Sequence, residues 1–249
     1  MSQDMQRKLQ PVRNDSRRAF WVRARLLVGG LVALSAFAVP ITSLLATSSA
    51  RANSLQMSSD SSATGWYPNE PRLSPAKVND GDFGELFDTQ LNGEIYAQPL
   101  VSQPTVLTVT ESDYAFGLNA KTGAIEWQDN FGPAADPLDQ IGCGPTGLNL
   151  GITGTPVIDP STDIAYFVAA KGTGTSGATQ WFIEAVNVQS GATPSGWPVN
   201  GVLIQGSADG DPGTVFNGQY EMQRPGLVFV NRVVYAAFGS MCDVGNWEG

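Results

Sequence analysis

All-β is the fold class that the sequence predicts for residues 65 to 249, and three observations predict it. Short runs of β-branched and aromatic residues alternate with Gly, Pro, Asn and Asp turns, and no amphipathic helical period interrupts them. The same order of parts then returns along the chain, which marks an internal repeat. Composition agrees, because 28 Gly and 16 Pro with only 15% charged residues favour turns over long helices.

The first copy opens with Tyr96-Ala97-Gln98-Pro99-Leu100-Val101 and continues through Thr105 to Thr110 and Tyr114 to Asn119. It ends at Lys121-Thr122-Gly123-Ala124-Ile125-Glu126-Trp127. Four strands are expected. The second copy runs from Gly154-Thr155-Pro156-Val157-Ile158 through Ile164 to Ala169 and Trp181 to Val188, and closes on Ser190-Gly191 and Trp197. The third opens with Gln223-Arg224-Pro225-Gly226-Leu227-Val228 and continues through Val233 to Phe238, the equivalent of two strands.

Each recurring part has a physical reason. Pro99, Pro156 and Pro225 stand where a strand begins, a position that need not donate a ladder hydrogen bond. Gly123 and Gly191 follow Thr or Ser in a tight turn, where a residue without Cβ accepts positive φ. Trp127 and Trp197 come next and offer a large flat face to an adjacent sheet.

Charge divides the chain at Ala52. Met1 to Ala52 holds eight basic and two acidic residues (+6), whereas Asn53 to Gly249 holds six basic and 21 acidic (−15), which sum to the net −9. The body therefore lacks the basic stripe that phosphates reward, and nucleic acid is not an expected partner. The sequence holds no His, so these residues cannot build a Ser-His-Asp triad, a His-ligated zinc or a CxxCH haem site.

Residues 1–52 read as an export signal: an Arg-rich start, an apolar stretch from Leu26 to Ala46, and Ala50-Arg51-Ala52 as the cleavage site. Ser16-Arg17-Arg18-Ala19-Phe20 resembles the twin-arginine consensus, with a general secretory signal carrying a chance Arg pair as the alternative. The 21 residues from Leu26 to Ala46 could span a bilayer, but Pro40 and the cleavage site argue for removal, leaving only transient membrane contact. The mature chain is expected outside the cytoplasm, secreted, periplasmic or cell-wall associated. Residues 53–64, polar and Ser-rich, are expected to be a flexible linker before the body at 65–249.

At Phe116-Gly117-Leu118-Asn119-Ala120-Lys121-Thr122-Gly123-Ala124-Ile125-Glu126-Trp127 the chain resembles the tryptophan-docking repeat of quinoprotein-like β-propellers, the pyrroloquinoline-quinone (PQQ) repeat family. That family's pattern is Tyr-Ala-Leu-Asp-Ala-x-Thr-Gly-x-x-x-Trp. Phe116, Gly117 and Asn119 depart mildly from it, and the second copy departs further, with Ser190 for Thr and two extra residues before Trp197. The resemblance implies a quinoprotein-like β-propeller with about two and a half four-stranded blades present. Since propellers close with about four to eight blades, the expectation is an incomplete ring from a truncated frame or fragment, with exposed edges that promote aggregation. The repeat prolines lie 57 and 69 residues apart, beyond the ~40–50 of familiar blades, so inserted loops are expected near residues 132–151, 172–177 and 207–218.

The resemblance also directs attention to sites. Gln98, Thr155 and Arg224 precede the three prolines at matching positions, where the innermost strands begin and an axial ligand would sit. Arg224 is the best placed to pair with carboxylates such as those of PQQ, and structural hydrogen bonding is the other reading of all three. Propeller topology puts Cys143 and Cys242 on one face, so a disulfide is allowed; two unbridged thiols are the alternative. Asp80-Gly81-Asp82 and Asp209-Gly210-Asp211 read as turns rather than calcium loops, and no metal ligand or catalytic residue is assigned. Two functions follow: a non-catalytic secreted domain that binds an unknown protein or glycan, or part of a PQQ- and calcium-dependent alcohol or sugar oxidoreductase. The enzymes of that family carry adjacent cysteines over the cofactor, which this chain lacks, so the binding domain is preferred.

Overall fold

The computed structural model describes residues 53–68, 70, 73–81, 83–136, 149–172, 179–208 and 211–245. All of them belong to one compact unit, Thr47–Gly249. They are nearly all β. One helical turn, α1 (Pro75–Val78), is capped by the Ser74 side chain accepting from Lys77 N–H.

Two antiparallel four-stranded sheets follow one another in chain order. The first sheet pairs β1 (Leu100–Ser102), β2 (Thr105–Val109), β3 (Tyr114–Asn119) and β4 (Ile125–Asn130). The second pairs β5 (Val157–Asp159), β6 (Ile164–Gly172), β7 (Thr179–Asn187) and β8 (Val202–Leu203). A short hairpin, β9 (Ser207–Ala208) with β10 (Asp211–Val215), lies where an inserted loop is expected. A third antiparallel pair, β12 (Val228–Val230) with β13 (Val233–Tyr235), turns through Asn231 and Arg232, both at positive φ as a two-residue hairpin loop requires. The pairing resumes between β11 (Glu221–Met222) and β14 (Gly239–Ser240).

Strand alternation explains why these sheets stack. In β6, Ala165, Phe167 and Ala169 point into a core shared with Leu100, Leu107, Val109 and Ala115 of the first sheet. The intervening Val168 and Ala170, with Trp181 and Val157, enter a second core with Leu227 and Met241, against which Phe229, Val234 and Phe238 pack. Period-two side-chain geometry thus makes the second sheet apolar on both faces.

The repeat is visible in its turns. Gly123 N–H donates to Asn119 O at 2.9 Å and Gly191 N–H to Asn187 O at 2.8 Å, and both glycines have φ near +70° (71° and 72°). Each Asn side chain accepts from the two backbone N–H groups that follow: Lys121 and Thr122 on Asn119, Gln189 and Ser190 on Asn187. An aromatic ring seals each turn. Phe87 lies against Gly123, with Thr89 Oγ1 donating to Gly123 O at 2.9 Å; Trp127 lies against Gly191 and donates its indole N–H to Val188 O at 2.9 Å. Trp127 also needs Gly117, its cross-strand partner, because a Cβ there would collide with the indole.

Two expectations are corrected. Trp197 lies in no strand: Ala192 O still accepts from Asn187 N–H, but Pro194 and Pro198 interrupt the ladder and β8 resumes only at Val202. The ring nevertheless meets Tyr166 edge-on at 5.6 Å. Residues 53–64 are no flexible linker. Ser54 exchanges backbone hydrogen bonds with Val101 at 2.9 and 2.8 Å, Leu55 O accepts from Ile158 N–H at 2.8 Å, and Leu55 packs on the first core. Asp60 then folds the chain back, accepting from Ser62 N–H and Thr64 Oγ1, so its carboxyl is held below the usual range, chiefly by Thr64. Edge-strand hydrogen bonds order a segment too polar to order itself.

Candidate functional site

The starts of β1, β5 and β12 are joined in series. Gln98 N–H donates to Thr155 Oγ1 at 3.0 Å, and Leu227 N–H donates to Thr155 O at 2.9 Å. Gln98 and Thr155 are therefore together, whereas the Arg224 side chain is exposed and reaches Tyr96 and Glu111 through its charge. Beside it, Gln223 is fully buried, donates to Pro225 O at 2.7 Å, and lies so close to Gly154 that any Cβ there would collide with its amide.

The chain itself occupies this line of strand starts. The Gln98 amide donates to Ser54 Oγ (3.4 Å) and Tyr67 Oη (3.2 Å), and its oxygen accepts from Ser58 N–H at 3.2 Å. Met57 covers Gly226. With the Gln98 amide and Thr155 Oγ1 engaged by neighbouring chain, and Arg224 in solvent, these three residues do not fit a PQQ cradle. Among the described residues no group of three or more Asp, Glu, Cys or His is arranged to hold a metal.

A second polar centre lies under the loop at 149–153, and sequence reasoning missed it. Glu111 and Asp113 stand in the β2–β3 turn, and Glu111 Oε2 accepts from Gly151 N–H at 2.8 Å. Gly151 is required there, since a Cβ would meet Glu111 O and Asp113 Oδ1. Asp113, fully buried and at φ 57°, has neither carboxylate oxygen hydrogen-bonded, and burial pushes its pKa up to about 8 against the pull of Lys171. Glu111 is raised by burial too. Across β6 and β7, Lys171 Nζ meets Glu184 Oε1 at 2.5 Å and donates to Asn200 O at 3.2 Å. The burial of Glu184 raises its carboxyl, with Lys171 opposing. Such a centre can hold a proton at neutral pH. The only sequence signal was two acids two apart in a turn, which ordinarily mark a solvated loop.

Cys242 is no free thiol, and Cys143 lies outside the described residues, as do Arg17, Arg18, Asp82, Asp209 and Gly210. No family model and no curated protein matches the chain. Among solved structures, it is similar to a quinohemoprotein alcohol dehydrogenase of Pseudomonas putida HK5, with 15% identity and a TM-score of 0.27. That match covers 58% of this chain and 24% of the other, so the chain spans about a quarter of that protein's length. It is also similar to BamB of Moraxella catarrhalis, with 15% identity, a TM-score of 0.20, and coverage of 61% and 69%.

Proposed function

We propose that the chain is part of a quinoprotein-like β-propeller that is exported by the twin-arginine route and acts by binding a protein or glycan rather than by catalysis. The observation that carries this reading is the course of residues 54–58, which run over the strand starts where an axial ligand would sit and engage the Gln98 amide. Support for the propeller comes from sheets that follow one another in chain order, stack through alternating faces, and share the same Asn-to-Gly turn chemistry. Trp66 and Tyr96, 71% and 57% exposed and close in sequence to Tyr67 and Gln98, supply aromatic faces suited to a sugar ring or an apolar side chain.

Titration of the full chain with PQQ and calcium, followed by tryptophan fluorescence and dye reduction with alcohols and sugars, is expected to show neither binding nor reduction. Saturable binding together with dye reduction would replace this reading with the oxidoreductase. We further propose that Cys143 and Cys242 are bridged. Alkylation of unreduced protein is then expected to label neither, and two labelled cysteines would refute the bridge.

A further inference from the structure

Residues 149–153 close over Asp113 and bridge the first two sheets. Gly151 N–H donates to Glu111 Oε2 at 2.8 Å, Ile152 N–H donates to Thr110 O at 3.2 Å, and Gly151 O accepts from Ala170 N–H of β6 at 3.1 Å. Leu150 exchanges backbone hydrogen bonds with Ala135, both at 2.8 Å, and Ala135 N–H also reaches Ala170 O at 3.0 Å. Pro133 O accepts from Gly172 N–H at 2.8 Å, so residues 133–135 and 149–152 form a short ribbon along the end of β6. Its side chains anchor it as well, since Leu150 enters the second core and Ile152 the first.

Beneath this ribbon lies a carboxyl without a donor. Asp113 is fully buried, and neither of its oxygens accepts a hydrogen bond. Its Oδ1 lies 2.8 Å from the point that a Gly151 Cβ would take, so the loop backbone itself shuts the carboxyl off from water. The charges around it do not balance. Glu111 in the same turn and Glu184 on β7 both act against its ionisation, while the opposing cation, Lys171 of β6, is already paired with Glu184. Glu94 and Arg224 act on Glu111 with opposite signs, and Asp129 of β4 acts on Glu184. The ribbon itself brings no ionisable side chain. An ionised Asp113 would therefore add a carboxylate to a dry site whose ammonium is occupied and which offers it no donor.

We propose that the ribbon of residues 133–135 and 149–152 is a proton-held latch, closed over a neutral Asp113 carboxyl and lifting from β6, without unfolding of the sheets, in step with loss of that proton. Lifting admits water to both Asp113 oxygens and uncovers Leu150 and Ile152, which the closed form buries. The sign follows from linkage. Burial in the closed form raises the Asp113 pKa to about 8, above the ordinary 3.8 that hydration restores in the lifted form. The proton therefore favours the closed form, fully at acid pH, and this advantage is lost as pH rises to about 8. Within that window each opening releases one proton, so the open fraction grows about tenfold per pH unit. The latch is built from the first two sheets alone and needs no bound ligand.

Backbone hydrogen exchange of the full chain between about pH 5 and 8, followed amide by amide by NMR, tests the latch. An open amide itself exchanges about tenfold faster per pH unit because hydroxide catalyses the step. The amides of Ala135, Leu150, Gly151 and Ile152 are therefore expected to gain a further factor of about ten per unit in wild type over the same amides in Asp113→Asn. They are also expected to be at least about tenfold less protected than Leu107 and Phe167, within β2 and β6, as local opening requires. Glu111→Gln keeps an acceptor for Gly151 N–H and removes a negative neighbour of Asp113, so the steep range is expected to persist and to end at lower pH. Equal pH slopes in wild type and Asp113→Asn would overturn the proposal. So would ribbon amides as protected as Leu107 and Phe167, since Asp113 would then meet water only on global unfolding, or a steep range that Glu111→Gln leaves unmoved.

Discussion

Replacement of Asp113 by Asn is expected to remove most of a fall in stability that the wild-type protein shows as pH rises from about 4 to about 8. Asp113 has its folded pKa raised from 3.8 to about 8 by burial. Between those values the folded chain holds a proton that the unfolded chain has released, so stability declines with pH at about 1.4 kcal/mol per unit. Across the whole window the loss is on the order of 5 kcal/mol, comparable with the total stability of a small domain. Above pH 8 both states are ionised and the decline ends. Asn suits the position because it nearly matches the carboxyl in volume and tolerates the left-handed φ of 57°, which a β-branched residue would not.

Glu111 and Glu184 are also raised by burial, so they add a slope of the same sign in both proteins. Desolvation raises Asp159, but the hydrogen bonds from Ser161 and Thr162 together with the charge of Arg232 lower it by more, so it contributes in the opposite sense, with stability lost as pH falls. The difference between Asp113→Asn and wild type therefore isolates one group. Urea unfolding from pH 4 to 9 is expected to give coincident midpoints at the acid end and a more stable variant at pH 8. Parallel curves across the range would show that Asp113 is ionised in the fold.

The sequence announced local chemistry and missed contacts made across the chain. The turns at Asn119–Gly123 and Asn187–Gly191 were legible because every hydrogen bond that defines them lies within six residues. Trp127 was legible because its spacing from Gly123 puts it in the fourth strand. Trp197 misled because two extra residues, flanked by Pro194 and Pro198, move it out of the ladder while its ring keeps its place over Tyr166. The segment 53–64 was misread because composition reports what a stretch can bury, not which edge strands will accept its backbone. Asp113 was hidden for a related reason: its burial belongs to Gly151, 38 residues away, whose missing Cβ lets the loop settle on the turn.

Trp181 is where an indole should matter most to stability, and comparison with Trp197 shows why residue type alone does not decide. Trp181 is fully buried in the second core, meets Phe238 edge-on at 5.6 Å, and donates its N–H to Gly218 O at 2.9 Å. Trp181→Ala removes the ring and leaves that carbonyl unpaired, for an expected loss of about 3–5 kcal/mol in unfolding free energy. Trp181→Phe keeps much of the ring and is expected to lose roughly half of that. Trp197→Phe deletes an N–H that has no acceptor, so a change within about 0.5 kcal/mol is expected. Chemical unfolding of the three variants under one condition checks the order. A Trp197→Phe loss as large as that of Trp181→Phe would mean that the Trp197 indole N–H does have an acceptor.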